Sequence, residues 1–322
     1  MKNFQGKLAV ITGGGTGMGR ALAQQVSAEG CHVALCDVSA ENMEETRGLC
    51  ETGAPPEAQI STHLCDVSDE SQVLAFRDAV KARHRTDHIN LLFNNAGIGG
   101  GGSFLNDDRD EWEKTFGVCW FGVYYCARAF LPLLVASDEG YIVNTSSVNG
   151  FWACLGPGIA HTAYSSAKFA VKGFTEALRI DLRLHAPHVQ VAVVMPGHVG
   201  TSIVINTGKV LGKPDALEMS APDVARVRDQ LRRSGLPVSD LSDDQIRAAM
   251  HYMAVNFRDN APLTAAQAAT IILDGVRNDA WRILVGEDAH ALDRLVREAP
   301  EMAYEESFMQ ALQKQGFLRL FS

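Results

Sequence analysis

The chain lacks the spacings that mark a local metal site: it has no CxxC pair, no HExxH, and its ten histidines are scattered. No metal site is expected from such a pattern. No run approaches the roughly 20 apolar residues needed to cross a bilayer. The N-terminal MKNFQGKLAVIT has neither the apolar core nor the small-residue cleavage site of a secretory signal. Basic charge is also short, with 29 Lys and Arg against 38 Asp and Glu and a net charge of −9. That balance argues against a nucleic-acid surface, and no run of like charge is long enough to form a tail. Internal repeats and low-complexity segments are absent. These absences leave a soluble, cytoplasmic protein with a small-molecule partner as the expectation.

Seven cysteines are present, at positions 31, 36, 50, 65, 119, 126 and 154. Their number is odd and most sit in apolar stretches, so they read as buried thiols in a reducing compartment.

Short apolar or β-branched runs alternate with longer helical patterns. The runs are KLAVIT (7–12), HVALCD (32–37), ISTHLCD (60–66), INLLFN (89–94), YIVNTS (141–146), VQVAVVMP (189–196) and WRILVG (281–286). Near-continuous apolar strands separated by helices predict a parallel sheet covered on both faces, the doubly wound α/β architecture. The 322 residues are expected to form a single domain of this kind. About eighty residues separate the last two runs, too many for a bare loop. Within them Ser242 and Gln245 have capping-box spacing before Ile246, Ala249, Met250, Met253 and Phe257, and Thr264 and Gln267 repeat the box. Val224, Val227 and Leu231 form a shorter helical pattern after Pro222. Residues 202–260 are therefore expected to form a helical cap over the C-terminal edge of the sheet, where doubly wound folds bind ligands. Residues 288–322 are expected to form a C-terminal helical extension whose apolar tail, GFLRLFS, covers the core or meets another subunit.

TGGGTGMG (12–19) lies between the first strand run and a helical pattern. Glycines there permit a tight turn, allow close approach of a pyrophosphate, and aim a helix N-terminus at its charge. Asp37 ends the second strand about twenty residues on, where a carboxylate accepts hydrogen bonds from an adenosine ribose and repels a 2′-phosphate. NAD is therefore expected in preference to NADP. Farther along, Tyr164 and Lys168 stand four residues apart on one helical face. A nearby ammonium favours a phenolate, so Tyr164 is a candidate general acid or base whose pKa Lys168 would lower.

Together, TGGGTGMG at 12–19, CDVSD at 65–69, NNAG at 94–97, NTSS at 144–147, YSSAK at 164–168 and PGHVGT at 196–201 resemble the short-chain dehydrogenase/reductases. The motifs occur in that family's order and span about two thirds of the chain. The resemblance implies a Rossmann fold, a nicotinamide cofactor, and a homo-oligomer, dimer or tetramer. Gly13, Gly17, Met18 and Gly19 match the pyrophosphate turn, Asp37 the ribose acceptor, and Asp66 and Val67 the residues holding the adenine. Asn95, Ala96 and Gly97 match the segment beside the cofactor. Pro196, Gly197, Val199 and Thr201 match the loop that holds the nicotinamide carboxamide. Ser147, Tyr164 and Lys168 match the catalytic serine, tyrosine and lysine, with Lys168 also bonding the nicotinamide ribose. The activity implied is hydride transfer between the cofactor and a secondary alcohol or ketone.

Two departures stand out. Aligning Gly122 and Val123 puts Cys119 where the family commonly has an asparagine that helps hold a proton-relay water. The interval between Ser147 and Tyr164 is also long, and Phe151, Trp152, Leu155 and Ile159 within it are expected to set apolar bulk beside the reacting carbon. Two glycines flanking Pro157 suggest a flexible turn. With the cap, these residues favour a bulky apolar substrate over a small sugar. His161 and His198 are read as structural. The alternatives are a nucleotide-binding regulatory protein that lost efficient chemistry, for which Cys119 is the support, and an epimerase or dehydratase on the same fold.

Overall fold

The computed structural model describes residues 1–155, 159–233 and 235–314. The strands are β1 (Leu8–Thr12), β2 (His32–Asp37), β3 (Ile60–Leu64), β4 (Leu91–Asn94), β5 (Gly140–Thr145), β6 (Val189–Pro196), β7 (Val199–Gly200), β8 (Leu263–Thr264) and β9 (Arg282–Val285). Seven of them form one parallel sheet in the order β3-β2-β1-β4-β5-β6-β9, and β7 pairs with β8. All seven predicted runs are present in the sheet. The order reverses between β1 and β4, and their C-terminal ends open a crevice there.

Successive residues of a strand face opposite ways, which splits the core in two. Ala9 and Ile11 of β1 join Val33, Leu35 and Phe93 on one face. Leu8 and Val10 join Ala34, Cys36 and Leu92 on the other. The ISTHLCD run stops short of its expected end, at Leu64. Just beyond it the Asp66 carboxylate accepts the backbone N–H and the hydroxyl of Ser68, which turns the chain out of the sheet.

One sequence expectation needs correction. Arg109–Val135 is a continuous helical run long and apolar enough, by length and composition, to cross a membrane. More than half of its most apolar window is buried, and Val118, Cys126, Phe130 and Leu134 pack in the second core. Its hydropathy thus serves the face of the sheet.

The long interval before β9 is helical, with Ile203–Val210, Ala221–Arg233 and Asp243–Asp259. Both capping boxes form, Ser242 with Gln245 and Thr264 with Gln267. Met219, Val224, Val238 and Ile246 make a small core of their own, joined by Val227 and Leu231. The β7–β8 pair stitches the ends of the excursion together.

After β9 come helices Glu287–Glu298 and Glu306–Lys314. They bury Leu292, Phe308, Met309 and Leu312 against Trp152. The GFLRLFS segment and the glycines flanking Pro157 lie outside the described residues. Six cysteines are buried, and Cys154 is half-buried.

Candidate active site

The first turn of helix Gly17–Ala28 faces the crevice with its amides uncommitted. Thr16 makes no side-chain cap and no acidic residue stands in the first turn, so the helix end is free to receive an anion. Gly13 has φ +63°, and a Cβ there would sit 2.8 Å from the Ala96 Cα. Only glycine fits that backbone. Gly19 serves packing, since a Cβ would fall 2.1 Å from the Gly13 carbonyl oxygen.

Thr12 ties the ends of β1 and β4 by accepting the backbone N–H groups of Asn95 and Ala96, each at 3.0 Å. The Asn95 side chain donates to the carbonyls of Thr12 and Gly13 at 3.1 and 3.2 Å. It braces the glycine turn, a role the motif alone did not reveal.

Asp37 closes one end of the crevice. Its carboxylate accepts the N–H groups of Gly15 and Ser39, both at 3.0 Å, which aims it across the turn. Burial pushes the Asp66 carboxyl up, but hydrogen bonds from Lys114 and Ser68 outweigh it and hold the group below the usual carboxylate range. Gly13, Gly17, Met18, Asp37, Asp66, Val67, Asn95, Ala96, Gly97 and Thr201 line one continuous cleft. An uncapped helix end, a turn with no room for side chains, and a carboxylate at the far end fit a dinucleotide.

The loop after β6 takes its shape from the C-terminal extension. The Gly197 N–H donates to the Val285 carbonyl at 3.0 Å, and the His198 N–H donates to Asp288 at 2.7 Å. A Cβ on Gly197 would lie 2.2 Å from the Asp288 carboxylate. Pro196 ends β6 and the Val199 side chain faces the first core, so this stretch can offer a ligand its backbone. His198 bonds the Phe257 carbonyl at 2.7 Å and is structural, as read. Sequence reasoning missed Asp288, which no motif marks.

A helix over the cleft falls within the expected 202–260 cap, but its cleft-lining residues were not named from the sequence. Helix Ile203–Val210 crosses the cleft, with the Asn206 amide donating to the Thr16 hydroxyl at 3.0 Å. Thr207 accepts the Gly99 N–H at 2.8 Å on the opposite side. Ile203, Asn206 and Val210 therefore line the cleft together with Thr16.

Ser147, Tyr164 and Lys168 converge beside the cleft. Ser147 is extended and caps the short turn Val148–Gly150, its Oγ accepting the Asn149 N–H at 3.1 Å. Tyr164 and Lys168 project from helix Thr162–His185. The Lys168 ammonium lies 5.3 Å from the Tyr164 ring centroid and donates to the Thr145 carbonyl at 2.8 Å. The expected lowering of the tyrosine pKa is not what this geometry produces. Burial pushes the phenol well above its ordinary value, the Cys119 thiol adds to the rise, and a Ser147 hydrogen bond offsets it in part. Burial also depresses the Lys168 ammonium, so desolvation outweighs the pairing. The His161 ring lies 4.6 Å from the Tyr164 ring at a 35° tilt, and burial lowers its pKa to about 4, so it is neutral near pH 7.

Phe151 and Trp152, expected beside the reacting carbon, pack toward the C-terminal segment. Trp152 is buried under the C-terminal helices and donates to the Ala303 carbonyl at 2.6 Å, and the Phe151 ring lies 6.0 Å from the Arg282 guanidinium.

A doubly wound sheet with this glycine turn and an adjoining Ser–Tyr–Lys cluster defines a nicotinamide-dependent oxidoreductase. Residues 7–210 match the short chain dehydrogenase family, and the chain belongs to it. It is 35% identical over 297 residues to SadH, a candidate oxidoreductase of Mycobacterium tuberculosis, with 92% of each chain covered. It is 32% identical over 237 residues to the levodione reductase of Leifsonia aquatica, covering 73% of this chain and 84% of that one. Among solved structures, a short chain dehydrogenase/reductase from Burkholderia phymatum in complex with NAD superposes with a TM-score of 0.73. Its identity is 30%, and 94% of this chain and 96% of that one are covered. A metagenomic short-chain oxidoreductase in complex with NADP matches with a TM-score of 0.53 and 30% identity, covering 60% and 83%.

Proposed function

We propose that the protein interconverts a bulky, apolar secondary alcohol and its ketone, with NAD preferred and Tyr164 as the general acid and base. The observation that carries this is the convergence of Ser147, Tyr164 and an anchored Lys168 at the side of the dinucleotide cleft. The helical excursion beside the cleft supports a large substrate, and so does the relative named for reducing levodione. Asp37 supports NAD, because a 2′-phosphate beside that carboxylate would be repelled.

A nicotinamide held in the cleft would supply the hydride chemistry. The Gly13–Gly19 turn and the helix end hold the pyrophosphate, Asp37 the ribose, and Asp66 and Val67 the adenine. The backbone of Pro196–Thr201 holds the carboxamide. Tyr164 enters as a neutral phenol, the form that gives its proton to a ketone oxygen during reduction. In oxidation the same oxygen takes the alcohol proton. Ser147 accepts the Asn149 N–H and hydrogen-bonds the Tyr164 phenol, which holds its hydroxyl where it would meet a substrate oxygen beside that phenol. Lys168, fixed by the Thr145 carbonyl, would donate to the nicotinamide ribose.

We also propose a homo-oligomer in the cytoplasm. Phe169, Ile180 and Leu184 form an exposed apolar stripe on one helix, and the buried thiols suit a reducing compartment.

The test is hydride transfer, followed by the absorbance of the reduced nicotinamide. A panel of bulky secondary alcohols and ketones is run with NAD and NADP, for wild type and Tyr164→Phe. Turnover with NAD that vanishes in the variant supports the reading. Tight NAD binding without turnover across the panel favours a nucleotide-binding regulatory protein.

A further inference from the structure

The C-terminal segment reaches the serine turn through an unbroken set of hydrogen bonds. Trp152 is almost wholly buried, its ring 6.0 Å from that of Phe308 and its indole N–H on the Ala303 carbonyl at 2.6 Å. Next to it, the Ala153 N–H donates to the Tyr304 hydroxyl at 3.0 Å. Two bonds thus bind a short piece of chain to residues 151 positions away. Asn149 carries the connection inward. Its buried amide gives bonds to the carbonyls of Trp152 at 3.0 Å and Cys154 at 2.7 Å, and its backbone N–H bonds the Ser147 hydroxyl. A primary amide has two donors, and both are used.

The turn is clamped from the other side as well. A Cβ on Gly150 would stand 2.2 Å from the Ser146 Oγ and 2.8 Å from the Lys168 carbonyl oxygen. Ser146 itself donates to that carbonyl at 2.7 Å. The helix bearing Tyr164 and Lys168 holds one face of the turn, and the C-terminal segment holds the other. A hydroxyl that must meet the substrate oxygen within a few tenths of an ångström needs both, because small misplacements in a reacting constellation cost large factors in rate.

We propose that residues 299–312 are part of the catalytic apparatus, acting through Trp152 and Asn149 as positioning residues that fix the Ser147 hydroxyl opposite Tyr164. The proposal rests on the role given to Ser147 above. It assigns Trp152 to the catalytic geometry and removes it from the substrate wall.

The experiment compares wild type, Trp152→Phe, Tyr304→Phe and Asn149→Asp in the full chain. Amide hydrogen exchange, cofactor binding and steady-state turnover are measured on the same preparations. Trp152→Phe keeps most of the ring and loses the donor; Asn149→Asp keeps the shape and turns two donors into acceptors facing carbonyls. The expected result for Trp152→Phe is about tenfold faster exchange in peptides covering 146–150, with residues 12–19 unchanged. Turnover should fall roughly tenfold, and further in Asn149→Asp, while cofactor affinity stays within about twofold. Exchange that rises in 299–314 and stays at wild-type levels in 146–150 overturns the proposal. So does a loosened turn with unchanged turnover. If wild type reduces or oxidises nothing in the panel, the dehydrogenase reading fails on its own, and the exchange comparison still decides whether the C-terminal segment orders the turn. Tyr304→Phe, at a half-exposed position, guards against a variant that does not fold.

Discussion

The Cys119 thiol donates to the Ile98 carbonyl at 3.2 Å, within a π-helical turn spanning Gly117–Phe121. Gly97 lies between this thiol and Lys168, so that a Cβ there would be 3.8 Å from the Sγ and 3.5 Å from the Nζ. The thiol stands near the lysine end of the proton path but spends its proton on the backbone. A thiol is a poor relay group. If backbone carbonyls of this turn hold the relay water, Cys119→Asn should leave turnover within about threefold of wild type, less than the factors usual for acid–base groups. A gain well beyond tenfold would show that the cysteine impairs the relay.

Tyr164→Phe should lower turnover by roughly 10²–10⁴-fold with cofactor binding retained, the range for loss of a positioned acid or base. Because the folded-state phenol pKa is raised, the folded chain keeps this proton longer than the unfolded chain does. The contribution to stability is complete below the ordinary tyrosine pKa of about 10 and is lost as pH climbs above it. Denaturant unfolding between pH 8 and 11 should therefore show an alkaline loss that is smaller in Tyr164→Phe.

His161 gives the opposite edge. Its folded value of about 4 lies below the ordinary 6.5, so the unfolded chain binds the proton first as pH falls. Stability should drop from about pH 6.5 downward and level off near pH 4, by up to ~3 kcal/mol for this residue. His84, also lowered to about 4 by burial and the neighbouring cations, adds a loss of the same sign. In His161→Phe the difference in unfolding free energy between pH 7 and pH 4.5 should shrink.

Asp37→Ala removes the carboxylate that the Gly15 and Ser39 amides aim across the turn. NAD affinity should fall by about tenfold and NADP affinity should rise, a loss for NAD near the low end of the roughly 1.5–3 kcal/mol usual for a hydrogen bond to a charged group. Fluorescence titration with the two reduced cofactors measures both, and unchanged discrimination would place the choice elsewhere.

On helix Thr162–His185, Ile180 is 55% exposed and Leu184 is 72% exposed, one turn apart. Ile180→Glu should shift sedimentation toward the monomer, because a charge buried at a subunit contact lacks a partner. An unchanged distribution would move the contact off this helix.

Much of the fold was legible along the chain. Seven apolar runs separated by helices specify a covered parallel sheet, because strands buried on both faces tolerate few polar residues. The glycine turn was equally legible, since a positive φ and a close backbone approach admit one residue type, and the two capping boxes formed where their spacing put them. What needed the tertiary structure are relations between distant segments. Trp152 could not be assigned to the C-terminal helices, nor Asp288 to the loop at Gly197, because nothing local marks a partner some 90 to 151 residues away. The apolar helix Arg109–Val135 is a core element by virtue of the sheet beneath it, and Asn95 a brace by virtue of the neighbouring strand. The ionisation of Tyr164 was decided the same way. Spacing placed an ammonium beside the phenol, but the surrounding burial, which no i, i+4 pattern encodes, sets the larger effect.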